Sequence, residues 1–392
     1  MRYLFLLAAL TLTTTAQAQW QLQPAPTTAD LRGIDNVGNG IAWASGTNGT
    51  ILRTTDAGAH WQRCTTPPNA EHLDFRGIQA FDATTAIAMS SGPGDQSRLY
   101  KTTDACQSWT LLFTNPDKDG FWDAISMFYP HADLLGHSIS EAYATGHILG
   151  DPVNGSFSIF STDNGGRTWT RRVAQSRGPK GIGCKVDAFK AESNEASFAA
   201  SNEGLLTFGG PYFLFVTGGG VSHLAYTDLS SWDGAFCHDS AHHKTLPIKH
   251  GNDSSGAFAL ASDPAHITNS DFPLKVVIVG GDYKLPDATS HNAVIVTGLG
   301  TLITRITEPT TPPHGYRSAV AYDAPTKTWI TVGPNGTDIS TDDGRNWRPL
   351  TPSKDEPAGA DKHWNALSLP YVVGPQGRIA TLRPSALAPT SK

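Results

Sequence analysis

The most constraining feature of this chain is an eight-residue box that recurs. One copy reads Ser340-Thr341-Asp342-Asp343-Gly344-Arg345-Asn346-Trp347. Residues 54–61 repeat it around Asp56 and Trp61, and residues 102–109 repeat it around Asp104 and Trp109, with Cys106 at the glycine position. Residues 161–169, with Asp163 and Trp169, read as the same box with one extra residue before the tryptophan. The shared form is a hydroxyl, any residue, an aspartate, a turn with glycine, then tryptophan. A hydroxyl and a carboxylate two residues apart accept backbone N–H bonds from one tight turn. Glycine supplies the positive φ that such a turn needs. Tryptophan is large enough to wedge between neighbouring units.

The spacing of the boxes sets the architecture. Their aspartates stand at 56, 104, 163 and 342, so the gaps are 48, 59 and 179 residues, the last close to three units. A weak copy, Tyr226-Thr227-Asp228-Leu229-Ser230-Ser231-Trp232, falls inside the long gap. Between boxes lie short apolar runs rich in β-formers, such as 85–89, 212–216 and 276–279, separated by clusters of Gly, Asn, Asp and Pro. With 39 glycines, 26 prolines and only 16% charged residues, the chain favours strands and tight turns over helices or disorder. A period near 50 residues with this content predicts propeller blades.

The expected fold is therefore all-β, a seven-bladed β-propeller of four-stranded antiparallel blades. Five units open alike, at Leu31-Arg32-Gly33-Ile34, Phe75-Arg76-Gly77-Ile78, Phe121-Trp122-Asp123-Ala124-Ile125, Tyr316-Arg317-Ser318-Ala319-Val320 and Trp364-Asn365-Ala366-Leu367. Two degenerate units open near Glu195-Ala196-Ser197-Phe198 and Ser254-Ser255-Gly256-Ala257-Phe258. The last unit has only three strands, and Trp20-Gln21-Leu22-Gln23 is the spare strand expected to complete it and close the ring. One domain then spans 19–385, followed by a tail at 386–392.

Residues 1–18 read as a secretory signal: Arg2 is basic, 3–10 are apolar, and Ala16-Gln17-Ala18 is a cleavage tripeptide, with cleavage after Ala18. The apolar run is too short to span a membrane. A periplasmic or secreted protein is expected, with no transmembrane segment. In an oxidising compartment Cys64, Cys106, Cys184 and Cys237 are expected to form disulfides, for which Cys64–Cys106 and Cys184–Cys237 is the simplest of three connectivities. The formal net charge of −6 argues against a nucleic-acid partner.

The boxes, the phrase Gly46-Thr47-Asn48-Gly49-Thr50-Ile51-Leu52-Arg53-Thr54-Thr55-Asp56 and the Arg-Gly-Ile strand openings resemble the Asp-box (bacterial neuraminidase repeat) propellers. Within them the chain is most similar to the photosystem II stability/assembly factor-like group of exported seven-bladed propellers. This resemblance covers nearly all of the chain after residue 18. It implies a non-enzymatic scaffold, while the wider sialidase superfamily implies a glycan-active enzyme.

Blade topology directs the search for a site. The strand C–D turns that hold the boxes lie on one face, so Asp56, Asp104, Asp163 and Asp342 are expected to be structural. The starts of A strands and the ends of B strands share the other face. They gather Arg32, Arg76 and Arg317, with Asp123, Asp151, Glu195, Asp282 and Tyr283, at the mouth of the central channel. Arginine forks suit carboxylate or phosphate; the alternative is a polar network that satisfies itself. The first functional expectation is an exported, monomeric, non-enzymatic scaffold that binds a protein partner or small acidic ligand at this mouth. The second is a sialidase-like glycoside hydrolase or lyase on the same face. The sialidase resemblance implies an arginine triad, a tyrosine nucleophile (Tyr283 or Tyr316) with Glu195, and an acid at Asp123 or Asp151. The Phe/Tyr-Arg-Ile-Pro opening of that family is absent here. The cluster His238, Asp239, His242 and His243 reads as a solvated loop, so no metal is expected, and no residue pattern calls for a cofactor.

Overall fold

The computed structural model describes residues 19–129, 140–173, 175–177, 184–210, 212–227, 238–263, 273–299, 302–350, 356–357 and 359–387. The expected leader at 1–18, Cys237 with its expected disulfide, the weak box beyond Thr227 and residues 388–392 of the expected tail lie outside them. Seven four-stranded antiparallel blades form a ring. Their innermost strands are Leu31–Gly38, Asp74–Ala80, Trp122–Phe128, Leu205–Gly209, Ser255–Ser262, Ala319–Asp323 and Ala366–Ser368, for blades 1 to 7 in order. In blade 7 the outermost strand is Trp20–Gln23, which pairs antiparallel with Ile379–Leu382, Trp20 opposite Leu382. No helix among the described residues is long and apolar enough to cross a membrane.

Blades pack on both faces, so their middle strands have no polar side. Ala86–Ser91 in blade 2 and Thr328–Gly333 in blade 6 are buried at every position. Among the described residues the apolar side chains sort into seven clusters, each bridging two adjacent blades. The box tryptophans sit in these seams. Trp61 meets Tyr371 of blade 7 edge-on at 5.9 Å, and Trp347 of blade 6 joins Val277 and Val279 of blade 5. Each tryptophan thus wedges its blade against the one before it. A disulfide between Cys64 and Cys106 ties the end of blade 1 to the box turn of blade 2.

The third box needs no extra residue. The turn in every box places two consecutive residues at positive φ: Ala57 and Gly58, Ala105 and Cys106, Gly165 and Gly166, Asp343 and Gly344. Aligned on these, the aspartate place in box 3 falls to Asn164, and Asp163 becomes the variable residue. Thr162 Oγ1 and the backbone N–H of Thr168 both donate to Asn164 Oδ1, as Ser340 Oγ and the N–H of Asn346 do to Asp342 Oδ1. An amide oxygen accepts these bonds as a carboxylate does.

Blade 4 begins later than the sequence reading places it. Its inner strand is Leu205–Gly209, and Glu195–Ala196 instead pairs with Gly218–Gly219, itself laid against Gly256 of blade 5. A Cβ on Gly218 would come within 2.6 Å of the Gly256 Cα, so only a glycine permits that approach.

Inner strands present an unpaired edge to the ring axis, and neighbouring side chains satisfy it. Asp35 Oδ2 accepts the N–H of Ala80 at 2.7 Å, Gln79 Oε1 that of Met127 at 2.7 Å, Ser126 Oγ that of Thr207 at 3.0 Å, and Ser368 Oγ that of Asn36 at 3.0 Å. Glu203, just before blade 4, accepts from Val320 in blade 6 at 2.8 Å and from Leu367 in blade 7 at 3.1 Å. One carboxyl therefore bridges the axis.

Candidate functional site

A break in strand register builds the channel mouth. In blades 1, 2, 3 and 5 the pairing of strands A and B skips one residue near the start of the inner strand. The skipped residues are Arg32, Arg76, Asp123 and Phe258. A bulge of this kind leaves its extra residue unpaired and re-aims the side chain. The glycines after Arg32 and Arg76 leave room for close neighbours: a Cβ on Gly33 would lie 2.6 Å from Ser45 Oγ, and one on Gly77 2.8 Å from Ile125 Cγ2.

Three of the four bulged side chains, Arg32, Arg76 and Phe258, line a cavity of about 490 Å³ together with Phe198, Asp253, Tyr283, Tyr316 and Trp364. One wall is aromatic. Phe198 stacks on Phe258 at 4.0 Å, and Phe258 meets Tyr316 edge-on at 4.8 Å and Tyr283 at 6.2 Å. Tyr283 is 46% exposed at the rim. Arg32 and Arg76 also line the cavity, together with the acid Asp253. Arg76 pairs with Asp74 at 2.7 Å and donates to the carbonyl of Ala199 at 3.1 Å. Arg32 differs, because its Nε is buried with no hydrogen-bond partner among the described residues.

Arg317 does not join this lining. Blade 6 has no register break, and its inner strand starts only at Ala319. Arg317 turns into the blade, where it is 0% exposed. Its Nε donates to Asp338 Oδ2 at 2.9 Å, its Nη2 reaches the same oxygen, and its Nη1 donates to the carbonyl of Tyr316 at 2.8 Å. His314 Nδ1 lies 2.6 Å from Asp338 Oδ1. Burial alone would raise Asp338, but its bonds to His314 and the charge of Arg317 hold it below its ordinary value. The expected three-arginine rim is thus a pair, Arg32 and Arg76, beside a closed internal ion network.

The remaining candidates separate. Asp123 is buried beneath the mouth; burial first, then the neighbouring Asp151, pushes its carboxyl well above the usual range, against the pull of Arg76. Burial also raises Asp151, whose Oδ1 accepts the N–H of Ser197 at 3.1 Å. Asp282 accepts from Ser254 Oγ at 2.7 Å and from the N–H of Lys284 at 3.0 Å, so it shapes the turn that presents Tyr283. Glu195 lies in the wall of a second cavity that neither Tyr283 nor Tyr316 lines. Burial pushes the Tyr316 phenol far above its ordinary value. Phe198, Phe258 and Trp364 join the lining without belonging to the expected set. The Phe258-Ala259 pair, placed where Arg32-Gly33 and Arg76-Gly77 stand in their blades, is the signal that would have found one of them.

No family model matches the chain, and no curated protein matches it in sequence. Its fold is similar to a solved structure described as YCF48 bound to D1 peptide, at 16% identity and a TM-score of 0.50, over 93% of this chain and 97% of that one. YCF48 from Cyanidioschyzon merolae is similar at 16% identity and a TM-score of 0.51, over 94% and 99%. The WD40 propeller domain of Doa1 is similar at 11% identity and a TM-score of 0.52, over 95% and 100%. Likeness at these identities shows the fold alone.

Proposed function

We propose that this chain is an exported propeller scaffold that holds a short acidic stretch of a partner protein at the channel mouth. The observation that carries the reading is Arg32, whose guanidinium lines an aromatic-walled cavity with no hydrogen-bond or ion-pair partner among the described residues. A carboxylate in the cavity would pair with the terminal nitrogens of that guanidinium. Phe198, Phe258, Tyr283 and Tyr316 offer apolar surface for an adjoining side chain, the kind of rigid aromatic contact on which binding energy concentrates. A similar propeller solved with a bound peptide supports peptide as the occupant. The leader reading and the Cys64–Cys106 bond support export into an oxidising compartment. The box turns support membership of the Asp-box propellers.

The sialidase-type reading loses its parts. Arg317 is closed into Asp338, Glu195 lines another cavity, and a phenol raised by burial is a poor nucleophile. The test is selection of phage-displayed random peptides on the wild type, followed by fluorescence anisotropy of synthesised winners. Acidic peptides should be enriched, bind Arg32→Ala at least tenfold more weakly, and recover in part with Arg32→Lys. Equal affinity for wild type and an Arg32→Ala/Arg76→Ala variant would overturn the proposal.

A further inference from the structure

Away from the mouth, a loop and two strands of blade 4 bring a carboxylate and two imidazoles together. Glu192, His223 and His243 each offer one ligand atom, and these atoms lie within 4.8 Å of one another. His223 and His243 are on adjacent antiparallel strands, His223 opposite Thr245 and Ala225 opposite His243, so both point to one face of the sheet. Their ring centroids are 4.7 Å apart.

The surroundings of His223 resemble the support that metal-binding histidines use. Its Nδ1 lies 2.9 Å from Glu195 Oε1, an oxygen that also accepts from Thr217 Oγ1 at 2.6 Å. A carboxylate on Nδ1 fixes the tautomer and leaves Nε2 as the free lone pair. That Nε2 faces Glu192 Oε1 at 3.8 Å. Glu192 is held in turn: its N–H donates to Glu195 Oε2 at 2.8 Å, and its carbonyl accepts the N–H of Glu195 at 3.2 Å. His223 and His243 also line a cavity of about 190 Å³ walled by Phe157, Phe189 and Phe215.

We propose that Glu192, His223 and His243 bind one divalent first-row transition ion, Zn2+ foremost, with Glu195 positioning His223. Two imidazoles and a carboxylate select such ions over Mg2+ and Ca2+, which prefer all-oxygen shells. Bond lengths of about 2.1 Å require donor atoms about 3.4 Å apart in a tetrahedral shell. The Glu192 side chain is 62% exposed and His243 is also exposed, so both are free to close that gap onto the fixed His223. Three protein donors leave a fourth position for water or a ligand.

Full-length protein treated with EDTA and then dialysed free of it provides the test. Titration with Zn2+ alone, followed by calorimetry, should give one ion per chain. Co2+ should give the intense visible bands of a four-coordinate site. Glu192→Ala and His243→Ala change exposed side chains, and their melting temperatures in EDTA check that each folds as the wild type does. Each should weaken Zn2+ at least a hundredfold. Glu195→Gln should weaken it about 10–100-fold with all three ligands present. Absence of uptake by the wild type overturns the proposal. So does uptake that survives both Glu192→Ala and His243→Ala, which would assign the ion to other histidines.

Discussion

Several hydrogen bonds converge on one side chain at each box turn. Asp342 accepts from Ser340 Oγ, from the N–H of Asn346 and from Asn346 Nδ2. In box 3 the same office falls to Asn164, while Asp163 is exposed. Asn164→Ala should therefore cost about 1–2 kcal/mol, whereas Asp163→Ala should stay within about 0.5 kcal/mol, both read from urea unfolding. The box motif was legible because its bonds are local. Box 3 is harder to align because Asp163 fits the acid of the pattern, although the oxygen of Asn164 serves equally. Arg317 was misplaced for a non-local reason. It stands in sequence where Arg32 and Arg76 stand, but blade 6 has no register break and the side chain turns inward to Asp338, which lies on another strand of that blade. Arg317→Ala strands a buried Asp338 and should cost about 3–5 kcal/mol in the same assay, with peptide affinity at the mouth unchanged in the folded fraction.

Within the blades, strand order followed from the repeat period, but the fourth inner strand did not. The Glu195–Ala196 segment looked like an opening because it holds the expected place in the period. Its partner is the glycine pair at 218–219, a contact that local pattern does not reveal. The links between blades are likewise non-local. The Cys64–Cys106 bond closes 42 residues across the seam of blades 1 and 2. Replacing both cysteines by serine should lower stability by about 2–4 kcal/mol, measured by urea unfolding. Cys106 sits at φ +62°, where the other boxes carry glycine. A Cys64→Ser/Cys106→Gly variant should thus be about 1 kcal/mol more stable than the double serine.

Across the whole ring, the inner strands depend on carboxyls that burial disfavours as anions. Burial raises Glu203 to about 8, against the N–H bonds of Val320 and Leu367, and raises Asp35 to about 6. A raised acid keeps its proton in the folded state after the unfolded chain has lost it. Its stabilisation is complete below the ordinary carboxylate range and is lost as pH climbs through the folded value. Buried His147, lowered to about 3, works in the opposite sense, but only below its ordinary value of 6.5. The clean window is therefore pH 6.5 to 8. The urea midpoint should fall across it for the wild type, and the fall should be shallower in Glu203→Gln. The closure of the ring has a mechanical meaning as well. Trp20 faces Leu382 and Gln23 faces Ile379, so both strands leave the sheet for their chain ends at the same corner. Tension between those ends opens the pairs one after another, as a zip does, and does not load them together in shear. The seam is held against thermal agitation by the buried Trp20 and Trp364 rings, yet it yields to a pull along a single direction.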